Sequence, residues 1–90
     1  MQKNLPKTAE VWSQTNCPAC TEAKRLLEQQ GTRIVEKMLG INGYTKKELI
    51  ELVPHARSVP QIFLDGEYIG GLQELKRKLA NDNNKNTGMV

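Results

Sequence analysis

The strongest constraint on this chain is one junction. A β-like run, residues 8–13 (Thr-Ala-Glu-Val-Trp-Ser), stops just short of Cys17-Pro18-Ala19-Cys20, and a helical pattern starts on that motif. Residues 21–30 place Ala23, Leu26 and Leu27 at helical spacing, with Lys24, Arg25 and Glu28 on the other faces. Gly31 stands where a helix ends on a left-handed residue. Pro18 suits a first helical position, because its missing N–H would have no partner there. The Cys-x-x-Cys is thus predicted at a strand-to-helix turn, with Cys17 on the helix N-terminus.

The remaining pattern keeps alternating. Residues 33–38 (Arg-Ile-Val-Glu-Lys-Met) read as a second strand, and 40–43 as a loop. Thr45-Lys46-Lys47-Glu48 matches a capping box, the Thr capping and the Glu reaching back. A short amphipathic helix over 46–53 follows, stopped by Pro54. Residues 61–64 form a third strand, Asp65-Gly66 a tight turn, and 67–69 the return strand of a hairpin. Gly70-Gly71 interrupts the chain. A last helix over 72–80 carries Leu72, Leu75 and Leu79 on one side. The order β-α-β-α-β-β-α predicts an α/β fold: a right-handed parallel unit first, then a hairpin completing a four-stranded mixed sheet flanked by helices. One domain is expected over 1–80, with a flexible polar tail over 81–90.

The position of the cysteines determines their chemistry. A helix N-terminus has unpaired backbone N–H groups and the positive end of the helix dipole, both of which favour an anion. A thiolate is an anion, so the Cys17 thiol is expected below the free value of about 8.5. Only the thiolate attacks disulfides. Cys20, one turn into the helix, is expected to be less exposed. Cys17 is therefore read as the nucleophile and Cys20 as the resolving thiol. Ala19 is small and leaves the cleft beside Cys17 open. Closing so short a loop with a purely structural disulfide stabilises little. A closed zinc site needs four ligands, and the chain offers two Cys and a single His, His55.

Composition narrows the partners. The net charge of +3 is mild, no long basic run occurs, and aromatic residues are 4% of the chain, so nucleic-acid binding has no support. No apolar run approaches the roughly 20 residues that span a bilayer, so no membrane association is expected. The first residues, Met1-Gln2-Lys3-Asn4-Leu5-Pro6, have no apolar segment after the Lys, so no secretory signal is read and a reducing cytoplasm is expected. A weak positive field would attract small acidic thiol peptides.

A second feature lies before the third strand, at Ser58-Val59-Pro60. From the residues alone it is a strand-starting trans proline, with a cis proline exposing the Val59 backbone as the alternative.

Taken together, Cys17-Pro18-Ala19-Cys20, Ala23-Lys24-Arg25-Leu26-Leu27, Ser58-Val59-Pro60-Gln61-Ile62-Phe63 and Ile69-Gly70-Gly71 resemble the glutaredoxins in order and spacing. The resemblance implies a thioredoxin-like fold, glutathione as reducing co-substrate, and no metal. It implies Cys17 as nucleophile, Cys20 as resolving thiol, and Pro60 as cis. It also implies that the Val59 backbone pairs with the glutathione cysteine as a strand would. The residues it places around glutathione are Gln14, Ala19, Ser58, Val59, Pro60, Gly71, Leu72 and Gln73. Disulfide-bearing proteins are the implied clients, ribonucleotide reductase among them, and the chain is expected to be a monomer. Its small size and the non-acidic residue after the Gly pair are also similar to phage-encoded members.

Three positions depart from the family pattern. Ala19 stands where many members have Tyr or Phe. Gln14 stands where many have a Lys that stabilises the thiolate and holds a glutathione carboxylate. Leu72-Gln73 replaces a pair ending in an Asp that receives the glutathione amine, and Glu74 is the nearby acid. Weaker glutathione binding is therefore expected. Two other functions stay open: a redoxin reduced by thioredoxin reductase, and a [2Fe–2S] carrier, against which Pro18 argues. Trp12 is read as a core or edge aromatic. His55 and Lys46-Lys47 are read as solvated. Arg57 is read as a surface cation, with recognition of a glutathione carboxylate as the alternative.

Overall fold

A computed structural model describes residues 6–87 of the chain, with side chains described to residue 81. Seven elements follow in order. They are β1 (Thr8–Ser13), α1 (Pro18–Gln29), β2 (Arg33–Met38), α2 (Lys46–Leu52), β3 (Gln61–Leu64), β4 (Glu67–Gly70) and α3 (Leu72–Thr87). The sheet order is β2-β1-β3-β4. β1 and β2 are parallel; β1–β3 and β3–β4 are antiparallel. This is the expected four-stranded mixed sheet.

The side-chain alternation of the two central strands builds two cores. Ala9 and Val11 of β1, with Ile62 and Leu64 of β3, face Ala23 and Leu27 of α1 and Leu75 and Leu79 of α3. Trp12 points to the other face and packs with Leu49 and Val53 at α2, bordered by Tyr44, Phe63 and Tyr68. Covering both faces of β1 explains why the strand ends on three consecutive buried residues, Val11, Trp12 and Ser13. Trp12 is 2% exposed and meets Tyr44 edge-on at 5.7 Å, so it is a core residue.

The caps predicted from sequence are in place. Thr45 and Glu48 form the reciprocal capping box of α2, with both bonds at 3.1 Å. Asp65 (φ 50°) and Gly66 (φ 86°) turn the hairpin, two left-handed residues as the tightest hairpin requires. The Asp65 carboxylate also accepts the backbone N–H groups of Lys7 and Thr8, at 3.1 and 3.0 Å, tying the turn to the start of β1.

The last helix differs from expectation. Its apolar stripe ends at Leu79, but α3 continues to Thr87, because no Pro or Gly intervenes before Gly88. Residues 88–90, the end of the stretch read as a tail, lie outside the described residues. So do residues 1–5, on which the reading of a missing secretory signal rests. Among the described residues, no helix is long and apolar enough to cross a membrane.

Candidate functional site

Cys17 is the N-cap of α1, in extended conformation (φ −123°, ψ 94°), with Pro18 in the first turn. Its Sγ accepts the backbone N–H of Cys20 at 3.1 Å. This is the bond a capping side chain makes, with sulfur in the place of the usual oxygen. The two cysteines are joined as a disulfide, so the structure is the oxidised form of the pair. Cys17 is half-buried and Cys20 is 2% exposed. A partner can therefore reach Cys17 and not Cys20.

Facing the dithiol is the turn before β3. The Val59–Pro60 peptide is cis. The Val59 carbonyl oxygen lies 3.9 Å from Cys17 Sγ. A chain of side chains holds this turn. Tyr68 Oη donates to Gln61 Oε1 at 2.6 Å, and Gln61 Nε2 donates to the Ser58 carbonyl at 2.8 Å. Gln61 is buried, and burial together with the nearby Glu74 charge raises the Tyr68 hydroxyl above its ordinary value.

Two cavities open on either side of the Ser58–Val59 ridge. One, of about 600 Å³, is walled by Ala19, Ser58, Val59, Pro60, Gly71, Leu72 and Gln73, together with His55, Tyr68 and Glu74. It thus collects every residue that the resemblance placed around glutathione except Gln14. Gln14 lines the second cavity, of about 480 Å³, on the far side of the ridge. Arg57 lines the second cavity too. His55 is exposed, as read from sequence, but it forms part of the first cavity's wall, edge-on to Tyr68 at 5.9 Å.

The glycine pair closes the first cavity. Gly70 has φ +116°, and a Cβ there would sit 2.7 Å from Glu74 Cγ. A Cβ on Gly71 would come within 3.2 Å of the Pro60 carbonyl. Glu74 Oε1 accepts the Gly71 N–H at 2.9 Å, which holds its carboxyl below the usual range.

Sequence reasoning missed the Tyr68–Gln61 brace. It also missed a polar cluster where β1 ends: Ser13 Oγ donates to Glu36 Oε2 at 2.6 Å, and Lys24 Nζ reaches the same oxygen at 2.8 Å. The available signal for this cluster was a Ser at the end of an apolar strand.

A redox-active dithiol on a helix N-terminus, opposite a cis proline in a four-stranded mixed sheet, is the site of a thiol–disulfide oxidoreductase of thioredoxin-like fold. A glutaredoxin family model matches residues 9–69. The chain belongs to the glutaredoxin family. Glutaredoxin 3 from Escherichia coli K12 is 35% identical over 66 residues, which are 73% of this chain and 78% of that protein. Hybrid peroxiredoxin hyPrx5 from Haemophilus influenzae is 29% identical over 79 residues, and this chain spans 32% of its length. Reduced Escherichia coli glutaredoxin superposes with a TM-score of 0.71 at 25% identity, over 82% of this chain and 94% of that one. A buckwheat glutaredoxin–glutathione complex gives 0.63 at 26% identity, over 81% and 68%.

Proposed function

We propose that this protein reduces protein disulfides and glutathione mixed disulfides at Cys17 and Cys20, with glutathione as its electron donor. The observation that carries the reading is the placement of the Val59 backbone, 3.9 Å from Cys17 Sγ and on the rim of the first cavity. An extended peptide thiol paired with that backbone brings its sulfur to Cys17. A buckwheat relative forms a complex with glutathione, which supports the same choice of ligand.

With a glutathione mixed disulfide, the Cys17 thiolate attacks the glutathione sulfur and the client leaves as a thiol. A second glutathione thiolate then attacks the Cys17–glutathione bond, releasing oxidised glutathione and restoring Cys17. With a protein disulfide, Cys17 forms a mixed disulfide with the client. Cys20 loses its proton and attacks Cys17, the client leaves reduced, and the Cys17–Cys20 disulfide remains. Two glutathione molecules reduce it again. Glu74 supplies a carboxylate in the cavity wall for the glutathione amine, in the absence of an Asp at Gln73. The protein works as a cytoplasmic monomer, and ribonucleotide reductase is a client that the family resemblance suggests.

The test compares two electron supplies on one mixed-disulfide substrate. Turnover with glutathione, glutathione reductase and NADPH is expected. Turnover with thioredoxin reductase and NADPH alone would replace this reading by that of a thioredoxin-reductase-dependent redoxin.

A further inference from the structure

Resolution needs Cys20 without its proton, yet Cys20 is 2% exposed and its own backbone N–H is engaged by Cys17 Sγ. Burial opposes the loss of a thiol proton, and solvent hardly reaches this sulfur. A polar group lies at the end of β1. Ala9 and Val11 face α1 and α3, so by strand alternation Ser13 does too. Its bond to Glu36, which also holds Lys24 of α1, fixes that orientation. Cys20, Ala23 and Leu27 are the buried residues of α1, the face that rests on this side of the strand. Residues 14–16 alone link Ser13 to Cys17, so the strand end stands beside the first turn of the helix. Lys24 follows Cys20 by one turn on the same face.

Ser13 is fully buried. Its hydroxyl donates to Glu36 Oε2, but its oxygen receives no hydrogen bond among the described residues. A buried acceptor is thus left open on the side of the strand that α1 covers. Glu36 in turn reaches solvent, because it lines a cavity of about 540 Å³ with Thr21, Lys24, Arg25, Glu28 and Ile34. We propose that Ser13 and Glu36 carry the Cys20 proton out to solvent, with Lys24 as the positioning residue. In the resolving step the Cys20 thiol gives its proton to Ser13 Oγ while the Ser13 hydroxyl passes its own to Glu36 Oε2. The Cys20 thiolate attacks Cys17, the bond from Cys17 to the client sulfur breaks, and the client leaves as a thiolate that water protonates. Two electrons pass from the dithiol to the client disulfide. Glu36 then releases its proton into the cavity. Lys24 keeps Glu36 in place and ionised below the ordinary 4.5, so an empty acceptor is present throughout the neutral range. The other charges around Glu36 are Arg25 and Glu28, on the same cavity wall. The Glu10–Lys37 pair sits on the opposite face of the sheet, against Trp12, and α3 meets this core through Leu75 and Leu79. The proposal rests on the oxidoreductase reading above and assigns its resolving step.

The test uses pre-reduced protein and bis(2-hydroxyethyl) disulfide without glutathione, so it stands apart from the choice of electron donor. Rapid acid quenching and mass spectrometry follow two steps: the mixed disulfide forming on Cys17, and its replacement by the Cys17–Cys20 disulfide. Glu36→Gln has nearly the same shape and keeps an oxygen for Ser13, but it is no base. It should slow the second step relative to the first by about tenfold or more at neutral pH. The deficit should close toward about pH 10, where hydroxide takes the thiol proton directly. Ser13→Ala should show the same pH-dependent deficit. Ser13→Thr, which returns a hydroxyl to the site, should recover most of the lost rate.

A Glu36→Gln protein with the wild-type ratio of the two steps at neutral pH would overturn the proposal. A deficit of equal size at every pH would overturn it as well, since a loosened site is not repaired by hydroxide. In either case the mixed disulfide still forms, so the oxidoreductase reading stands and only the proton path falls. No mixed disulfide even in wild type would remove both.

Discussion

Replacing Glu36 by Leu separates two contributions to stability that share one carboxylate oxygen. Ser13 is fully buried, and its hydroxyl donates to Glu36 Oε2 at 2.6 Å. Lys24 pairs with the same oxygen at 2.8 Å, but both side chains are nearly 30% exposed (28% and 29%). A part-exposed ion pair contributes at most about 1 kcal/mol. A buried hydroxyl left without its acceptor costs roughly 1–3 kcal/mol. Glu36→Leu should therefore lose about 2–3 kcal/mol, most of it from Ser13. For a domain of this size that lowers Tm by roughly 10–20 °C. Adding Ser13→Ala removes the orphaned hydroxyl, so the double variant should be more stable than Glu36→Leu alone. The pH dependence follows from Glu36. Its carboxyl is held below the ordinary 4.5, first by the Lys24 bond and then by Ser13. The contribution is thus fully present above pH 4.5 and is lost as pH falls through the folded value. Urea unfolding of the oxidised proteins between pH 3 and 7 reads both effects. A double variant as unstable as the sum of the two single changes would refute the reasoning.

Other outcomes follow from the site. Gly70→Ala should lose about 1–3 kcal/mol by chemical denaturation, since its φ of +116° is closed to a side chain and the Cβ meets Glu74. Tyr68→Phe should cost about 1 kcal/mol and raise the KM for a glutathione mixed disulfide, because Gln61 loses a donor and the Ser58 turn loosens. An unchanged KM there would show that the brace has no part in binding. Gln14→Lys should tighten glutathione binding, measured by calorimetry, by adding a cation beside the Ser58–Val59 ridge. Unchanged affinity would mean that Gln14 does not explain weak binding.

Much of this was legible in the chain because the signals are local. The Cys17–Cys20 spacing, Pro18, the Thr45–Glu48 box and Asp65-Gly66 each act within a few residues, and each structural element formed near where its cap or turn stands. The parts that escaped depend on residues distant in sequence. Ser13 finds Glu36 only because β1 and β2 are parallel neighbours, pairing Ser13 with Met38 and Val11 with Glu36. Tyr68 reaches Gln61 across the hairpin, and no spacing rule announces it. The end of α3 was missed for the opposite reason. Its stripe of Leu stops at Leu79, yet a polar helix continues where nothing breaks it. Gln14 and Gln73 resemble a matched pair of departures in sequence, but the Ser58–Val59 ridge puts them in separate cavities.

The most direct test of the central claim is glutathione-dependent reduction of a glutathione mixed disulfide by wild type, Cys17→Ser and Cys20→Ser side by side. The exposure difference between the two sulfurs predicts an active wild type, an inactive Cys17→Ser and an active Cys20→Ser. Activity in Cys17→Ser, or its loss in Cys20→Ser alone, would contradict the assignment of Cys17 as the sulfur that meets substrate.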